Sequence, residues 1–197
     1  MKRFLIVGCG AVDKNKSFDS LKYGLNHTDL HPKNEFDTMD IDPEYSPTFL
    51  QDLSETDVIR KKFVPNSYAL IVLERIPSEL IKDNSAKSVA HLVEQKGLIA
   101  LLPTGGPALY LQNMLAVMRE SDFETCIISP GAQLMLFFKS DNIEQSLEIV
   151  HQFIKDVPYV KNLFTNQDKS LMRSFSKEQI LTPYTLNQYA WSIKALE

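Results

Sequence analysis

The stretch that most constrains the fold is the first one. Arg3-Phe4-Leu5-Ile6-Val7 is a short apolar run that stops at once in Gly8-Cys9-Gly10. Continuous branched and aromatic residues bounded by glycine predict a strand buried on both faces over Phe4 to Val7. A strand entering a Gly-x-Gly turn brings its backbone close to whatever lies beyond the sheet edge, because no Cβ stands in the way. A second predicted strand, Glu35 to Ile41, runs into Asp40-Ile41-Asp42-Pro43. An acidic residue at such a strand end can accept hydrogen bonds from a ribose. The fold must explain how these two stretches stand to one another.

Further apolar runs follow at Thr48 to Leu50, Tyr68 to Leu73, Leu98 to Leu102, Thr125 to Ile128 and Gln133 to Phe138. Between them lie helical patterns. Ser54 to Lys62 has Ser54 as its expected N-cap and acidic residues in its first turn. Ser78 to Gln95 carries Leu80, Ile81, Val89, Leu92 and Val93 on one face and is closed by Lys96-Gly97. Ala108 to Glu120 and Ile143 to Asp156 repeat the pattern, and Ser17 to Tyr23 predicts a shorter helix. Glu44 to Pro47 is too short for a crossover helix, which takes about a dozen residues. Strands alternating with helices predict a largely parallel sheet covered on both faces. The last two runs, turned by Ser129-Pro130-Gly131, predict an antiparallel pair. The expectation is a Rossmann-like three-layer α/β sandwich over residues 1–140, with a short or missing second helix and a C-terminal antiparallel strand. A helix and tail over 141–197 would pack on it or extend it.

Composition narrows the function classes. With 197 residues, 44% hydrophobic and 23% charged, the chain is long enough to bury a core without staples. A net charge of −4 and a pI near 5.6 argue against a general nucleic-acid or anionic-membrane binder. The two cysteines, Cys9 and Cys126, lie in apolar runs, which fits a reducing, cytoplasmic setting. Met1-Lys2-Arg3 followed by the run to Cys9 mimics a lipoprotein signal, but the run is shorter than a signal h-region of about 7–15 residues. No run approaches the roughly eighteen residues of a membrane span. Nothing in the sequence speaks to oligomeric state.

In a mostly parallel sheet, ligands sit beyond the carboxyl ends of the strands, near the point where strand order reverses. That directs attention to Gly8 to Gly10, Asp40 to Pro43, Asp52, Glu74-Arg75 and Pro103-Thr104. Each has a plainer reading. Gly8 and Gly10 can simply end a strand, and Asp40 and Asp42 can form a turn before Pro43. Asp52 can cap the next helix, and Glu74 can pair with a basic neighbour at the surface. His27 and His31 have the spacing of two ligands on one helix face, but Pro32 makes this loop, and no metal site is expected. Cys9 has no evident histidine partner for nucleophilic chemistry. Thr104-Gly105-Gly106 lacks the Lys-Ser/Thr of a phosphate loop.

The order of motifs resembles the class I S-adenosylmethionine-dependent methyltransferases. Leu5 to Gly10 looks like their first motif, Thr38 to Pro43 their acidic second-strand motif, and Phe49 to Leu53 their third. Pro65 to Pro77 is similar to their fourth, and Glu94 to Leu101 to the segment that leads into their fifth strand. The resemblance implies S-adenosyl-L-methionine as cofactor, held by Gly8, Cys9, Gly10, Asp40, Ile41, Asp52, Leu53, Leu73 and Glu74. It implies Glu74 as the candidate catalytic residue and an unidentified small molecule or side chain as methyl acceptor. Val12 stands where a third glycine would, Glu74-Arg75 replaces Glu-His, and no Asn/Asp-Pro-Pro-Tyr/Phe motif is present. A non-catalytic binding or scaffold protein of the same fold, and a nicotinamide-dependent oxidoreductase, therefore stay open as alternatives.

Overall fold

The computed structural model describes residues 3–8, 36–74, 76, 83–102, 122–128, 135–142, 144–146, 148–149 and 173–176. Among the described residues, eight strands make one sheet: β1 (Phe4–Val7), β2 (Phe36–Asp40), β3 (Phe49–Leu50), β4 (Tyr68–Glu74), β5 (Val93–Leu102), β6 (Thr125–Ile128), β7 (Met135–Phe138) and β8 (Arg173–Ser176). Their order across the sheet is β3-β2-β1-β4-β5-β7-β6-β8. β1 pairs in parallel with β2 and with β4, β2 with β3, and β4 with β5. β7 runs antiparallel to both β5 and β6, and β8 antiparallel to β6. The expected parallel sheet with an antiparallel C-terminal part is what forms.

The chain moves outward from β1 to β2 and β3, then returns to lay β4 on the other side of β1. Strand order reverses there, so a crevice is expected over the carboxyl ends of β1 and β4. These strands are buried along their whole length. All four residues of β1 and all seven of β4 are buried, as befits strands whose sequence is apolar without alternation. Among the described residues, the helices α1 (Thr56–Lys62) and α2 (Asp83–Leu92) meet through Thr56, whose hydroxyl donates to the Asn84 carbonyl at 2.8 Å and receives Ser88 Oγ at 3.2 Å. Ile59, Ala86, Val89 and Leu92 join the sheet's buried cluster.

Several boundaries differ from the sequence reading. The N-cap of α1 is Glu55, whose side chain makes no capping bond. Ser54 lies one residue earlier, its amide donating to Asp52 Oδ1 at 2.7 Å. The second helix stops at Leu92 and Val93 already belongs to β5. The pairing then jumps from Tyr68↔Val93 to Leu70↔Leu98, so five steps along β5 face two along β4. The extra backbone folds inward at Gly97, where a Cβ would stand 3.0 Å from the Glu94 carbonyl oxygen and 3.1 Å from that of Ala69. Lys96-Gly97 thus sits within a strand irregularity and does not close the helix. β8 joins the sheet from a region whose sequence shows only scattered apolar residues. Residues 144–146 and 148–149 of the predicted Ile143 to Asp156 helix are helical. The segments Ser17 to Tyr23 and Ala108 to Glu120, and Leu80 and Ile81, lie outside the described residues.

At the amino edge of the sheet, Arg3, Asp37 and Tyr68 form a cluster. The Arg3 guanidinium donates to Asp37 Oδ2 at 2.6 Å, and the Tyr68 hydroxyl donates to the same oxygen at 2.8 Å. The guanidinium carbon lies 5.0 Å from the centre of the Tyr68 ring. Burial raises the phenol's pKa above its ordinary 10.0, and the accepting Asp37 carboxylate raises it further. A raised folded-state pKa means the cluster's contribution is complete below the unfolded value and is lost as pH climbs past it. Stability should therefore fall as pH rises above about 10, toward the raised folded value, more steeply than in Tyr68→Phe, when both are followed by urea melts. Parallel slopes for the two proteins would remove this role.

Candidate functional site

The site is built outward from the end of β1. Val7 is level with Met39 of β2 and with Leu73 of β4. The next residue on each strand is Gly8, Asp40 and Glu74, so a glycine turn stands between two carboxylates on three adjacent parallel strands. Neighbouring strands lie about 4.8 Å apart, which puts the backbones of Asp40 and Glu74 roughly 10 Å from each other.

Gly8 is held on both sides. Its amide donates to the Met39 carbonyl at 2.9 Å. Its φ of +73° lies in the left-handed region that side chains avoid. A Cβ there would run into the Glu74 carbonyl oxygen and stand 3.0 Å from Ile76 Cγ1. The position needs glycine twice over, for its dihedral and for its closeness to β4.

Asp40 ends β2 and is only 9% exposed. Its Oδ1 accepts the Asp42 amide at 3.1 Å, which sets the plane of the carboxylate, and its carbonyl accepts the Gln51 amide at 2.9 Å. Asp42 in turn caps a single 3-10 turn, Pro43–Tyr45, by accepting the Glu44 amide at 2.9 Å. Ser46 leaves that turn in the left-handed conformation. Both aspartates are thus turn residues, as their type favours, but only Asp40 is buried. Ile41, between them, is 62% exposed.

The remaining predicted residues divide. Glu74 is buried at 5% exposure. Burying a carboxylate costs free energy that the fold could avoid with an apolar side chain. Asp52 is exposed, and its Oδ1 accepts the Ser54 amide in the turn before α1; the N-cap of that helix is Glu55, so Asp52 does not cap it. Leu53 and Leu73 belong to the buried apolar cluster. Cys9, Gly10, Arg75, Pro103 and Thr104 lie outside the described residues. The sequence reading missed two features here. Gln51 is buried behind Asp40, and Thr38 and Thr48 clasp the base of the loop that Asp40 opens. A threonine at each end of a link this short was the available signal.

His91 packs its Nε2 at 3.3 Å from the Phe63 carbonyl. Cys126 is buried, and desolvation pushes its thiol pKa up, which leaves it unreactive at neutral pH. Among the described residues, no three His, Cys, Asp or Glu side chains converge, and no helix is long and apolar enough to cross a membrane.

No protein-family model matches the sequence, and no curated protein does. Solved structures of similar shape include a spermidine synthase in complex with the transition state analogue AdoDATO, with 13% identity and a TM-score of 0.49 over 100% of this chain and 68% of that one. A spermidine synthase from Thermotoga maritima has 13% identity and a TM-score of 0.48 over 100% of this chain and 69% of that one. An O-methyltransferase from a trans-AT PKS multienzyme of Brevibacillus brevis, in complex with S-adenosyl-L-homocysteine, has 18% identity and a TM-score of 0.45 over 98% of this chain and 62% of that one. The strand order, with five parallel strands and then β7 reversed between β5 and β6, is that of the Rossmann-like class I methyltransferase fold expected from the motifs.

Proposed function

We propose that the protein is an S-adenosyl-L-methionine-dependent methyltransferase acting on a small molecule or a side chain. One observation carries the reading: Gly8, Asp40 and Glu74 stand level on three adjacent parallel strands beside the reversal point, with Asp40 buried and oriented by the Asp42 amide. These residues fit a nucleoside. A carboxylate has two oxygens and room for several donors, so Asp40 would accept from both ribose hydroxyls. Ile41 would offer an apolar face to the base. The turn at Gly8 would let the methionine part pass close to backbone, with Cys9 and Gly10 continuing it. Asp52 keeps an oxygen for an adenine amino group. Leu73 would contribute by fixing the end of β4 and Leu53 by anchoring the turn after β3, not by contact through their side chains.

When bound, the cofactor supplies an electrophilic methyl group on a sulfonium. The chain's own part is alignment, which can be worth several kcal/mol of a barrier. The Glu74 carboxylate would accept a hydrogen bond from the acceptor's N–H or O–H and hold it in line. Calorimetric titration with S-adenosylhomocysteine should show one site per chain, and NADH should give no heat. Folded protein silent to both S-adenosylmethionine and S-adenosylhomocysteine would sink the proposal. The exposed, locally bonded Asp52 favours a second reading, a protein of this fold that binds the cofactor without turning it over. Retained cofactor with no methyl transfer to a broad acceptor panel would support that one.

A further inference from the structure

The loop between β2 and β3 does two things at once. It joins two parallel neighbouring strands, a connection that commonly takes a dozen or more residues and a helix, using only residues 41–48 and one 3-10 turn. It also carries Ile41 and Asp42, the latter holding the Asp40 carboxylate through its amide. Ordering so short a link has a conformational cost at every residue, and the single turn at Pro43–Tyr45 secures only its middle.

Its two ends are secured by Thr38 and Thr48. The ladder begins at Met39↔Phe49, so these threonines face each other one step before it. The Thr38 amide donates to Thr48 Oγ1 at 3.1 Å, and the Thr48 amide donates to Thr38 Oγ1 at 2.9 Å. The two hydroxyl oxygens are 3.2 Å apart. Each hydroxyl offers one donor and two acceptors. Two backbone donors and one hydroxyl proton therefore fill this arrangement, and the second hydroxyl proton is left for water. The side chains replace two ladder bonds that the turn into β3 cannot supply. Thr38 stands two residues before Asp40 on the same strand face, so the clasp and the carboxylate share one short piece of backbone.

We infer that Thr38 and Thr48 are positioning residues for the nucleoside half of the site. They hold the closed loop that sets the direction of the Asp40 carboxylate and the placement of Ile41. This rests on the methyltransferase reading for the identity of the ligand, while the clasp's hold on the loop can be read without any ligand. Sites tolerate displacements of only about 0.5 Å before affinity suffers, and a loop released at its base would move by more.

The test uses Thr48→Val, which keeps the branched shape and removes the oxygen, and Thr48→Ser, which restores it. In the ligand-free full chain, NMR-detected hydrogen exchange at the Asp42 and Glu44 amides should be about tenfold faster in Thr48→Val and near wild type in Thr48→Ser. Calorimetry with S-adenosylhomocysteine should show Kd rising about fivefold or more in Thr48→Val and staying within about twofold in Thr48→Ser. Unchanged exchange at both amides overturns the inference. Faster exchange with unchanged Kd also overturns it, since the clasp would then be structural only. Absence of binding by the wild-type protein would refute the methyltransferase reading. The exchange measurement would then decide the clasp's hold on the loop alone.

Discussion

Gly8→Ala should destabilise the protein by about 3 kcal/mol and abolish nucleoside binding. Two costs combine. A non-glycine residue at φ +73° carries a left-handed penalty of about 1–2 kcal/mol. The new Cβ would also meet the Glu74 carbonyl oxygen, a backbone atom in a fully buried strand, with no flexible side chain to move aside. Overfilling a packed site of this kind costs about 1–3 kcal/mol. For a chain of this size the sum corresponds to a loss of roughly 6–12 °C in Tm. The alternative is for β1 and β4 to separate at their carboxyl ends, which would press Gly8 toward β2, where its amide already sits 2.9 Å from the Met39 carbonyl. A thermal melt of Gly8→Ala within a degree or two of wild type would show that the turn at β1 has slack.

Asp40→Ala should do the reverse, leaving stability nearly intact while weakening S-adenosylhomocysteine binding more than tenfold. A carboxylate accepting from two hydroxyls makes charge-assisted bonds worth about 1.5–3 kcal/mol each, and a tenfold loss is only about 1.4 kcal/mol. On the stability side, removing a buried carboxylate relieves desolvation, while the Asp42 amide loses its acceptor and turns to water. These partly cancel, so the net change should stay within about 1 kcal/mol. Asp40→Asn, which keeps the shape and loses the charge, should fall between wild type and alanine in affinity. The opposite pattern, a lower Tm with unchanged affinity, would make Asp40 a turn residue only.

How far the site could be read from the chain depends on what each residue answers to. Gly8 was legible because it ends an apolar run, and Asp40 because it ends a predicted strand just before Asp42-Pro43; a strand end is a local event. Glu74 was legible for the same reason. Leu53 and Leu73 follow or precede acidic residues in the motifs, yet both are core: Leu73 lies in a strand buried on both faces and Leu53 packs inward from the turn after β3. Ser54 looked like a cap because serine favours that place, but the N-cap falls one residue later, at Glu55. The helix that runs into β5 was extended too far, because Val93 to Gly97 suits either a helix end or a strand start. Pairing with Tyr68 decided it.

By itself the sequence determined the central strands, the glycine at the end of β1 and the acidic residue at the end of β2. It also determined the absence of a helix between β2 and β3. These follow from short-range patterns: unbroken apolar runs, residues that end them, and a link too short to hold a crossover. Only the tertiary structure decided that Gly8 is wedged between Met39 and Glu74, that β8 extends the sheet beyond β6, and that Thr38 meets Thr48. Each of these is a contact between strands far apart in the chain or across a register step. Such contacts are set by which edges find each other as the sheet closes, and no single stretch of residues carries that information.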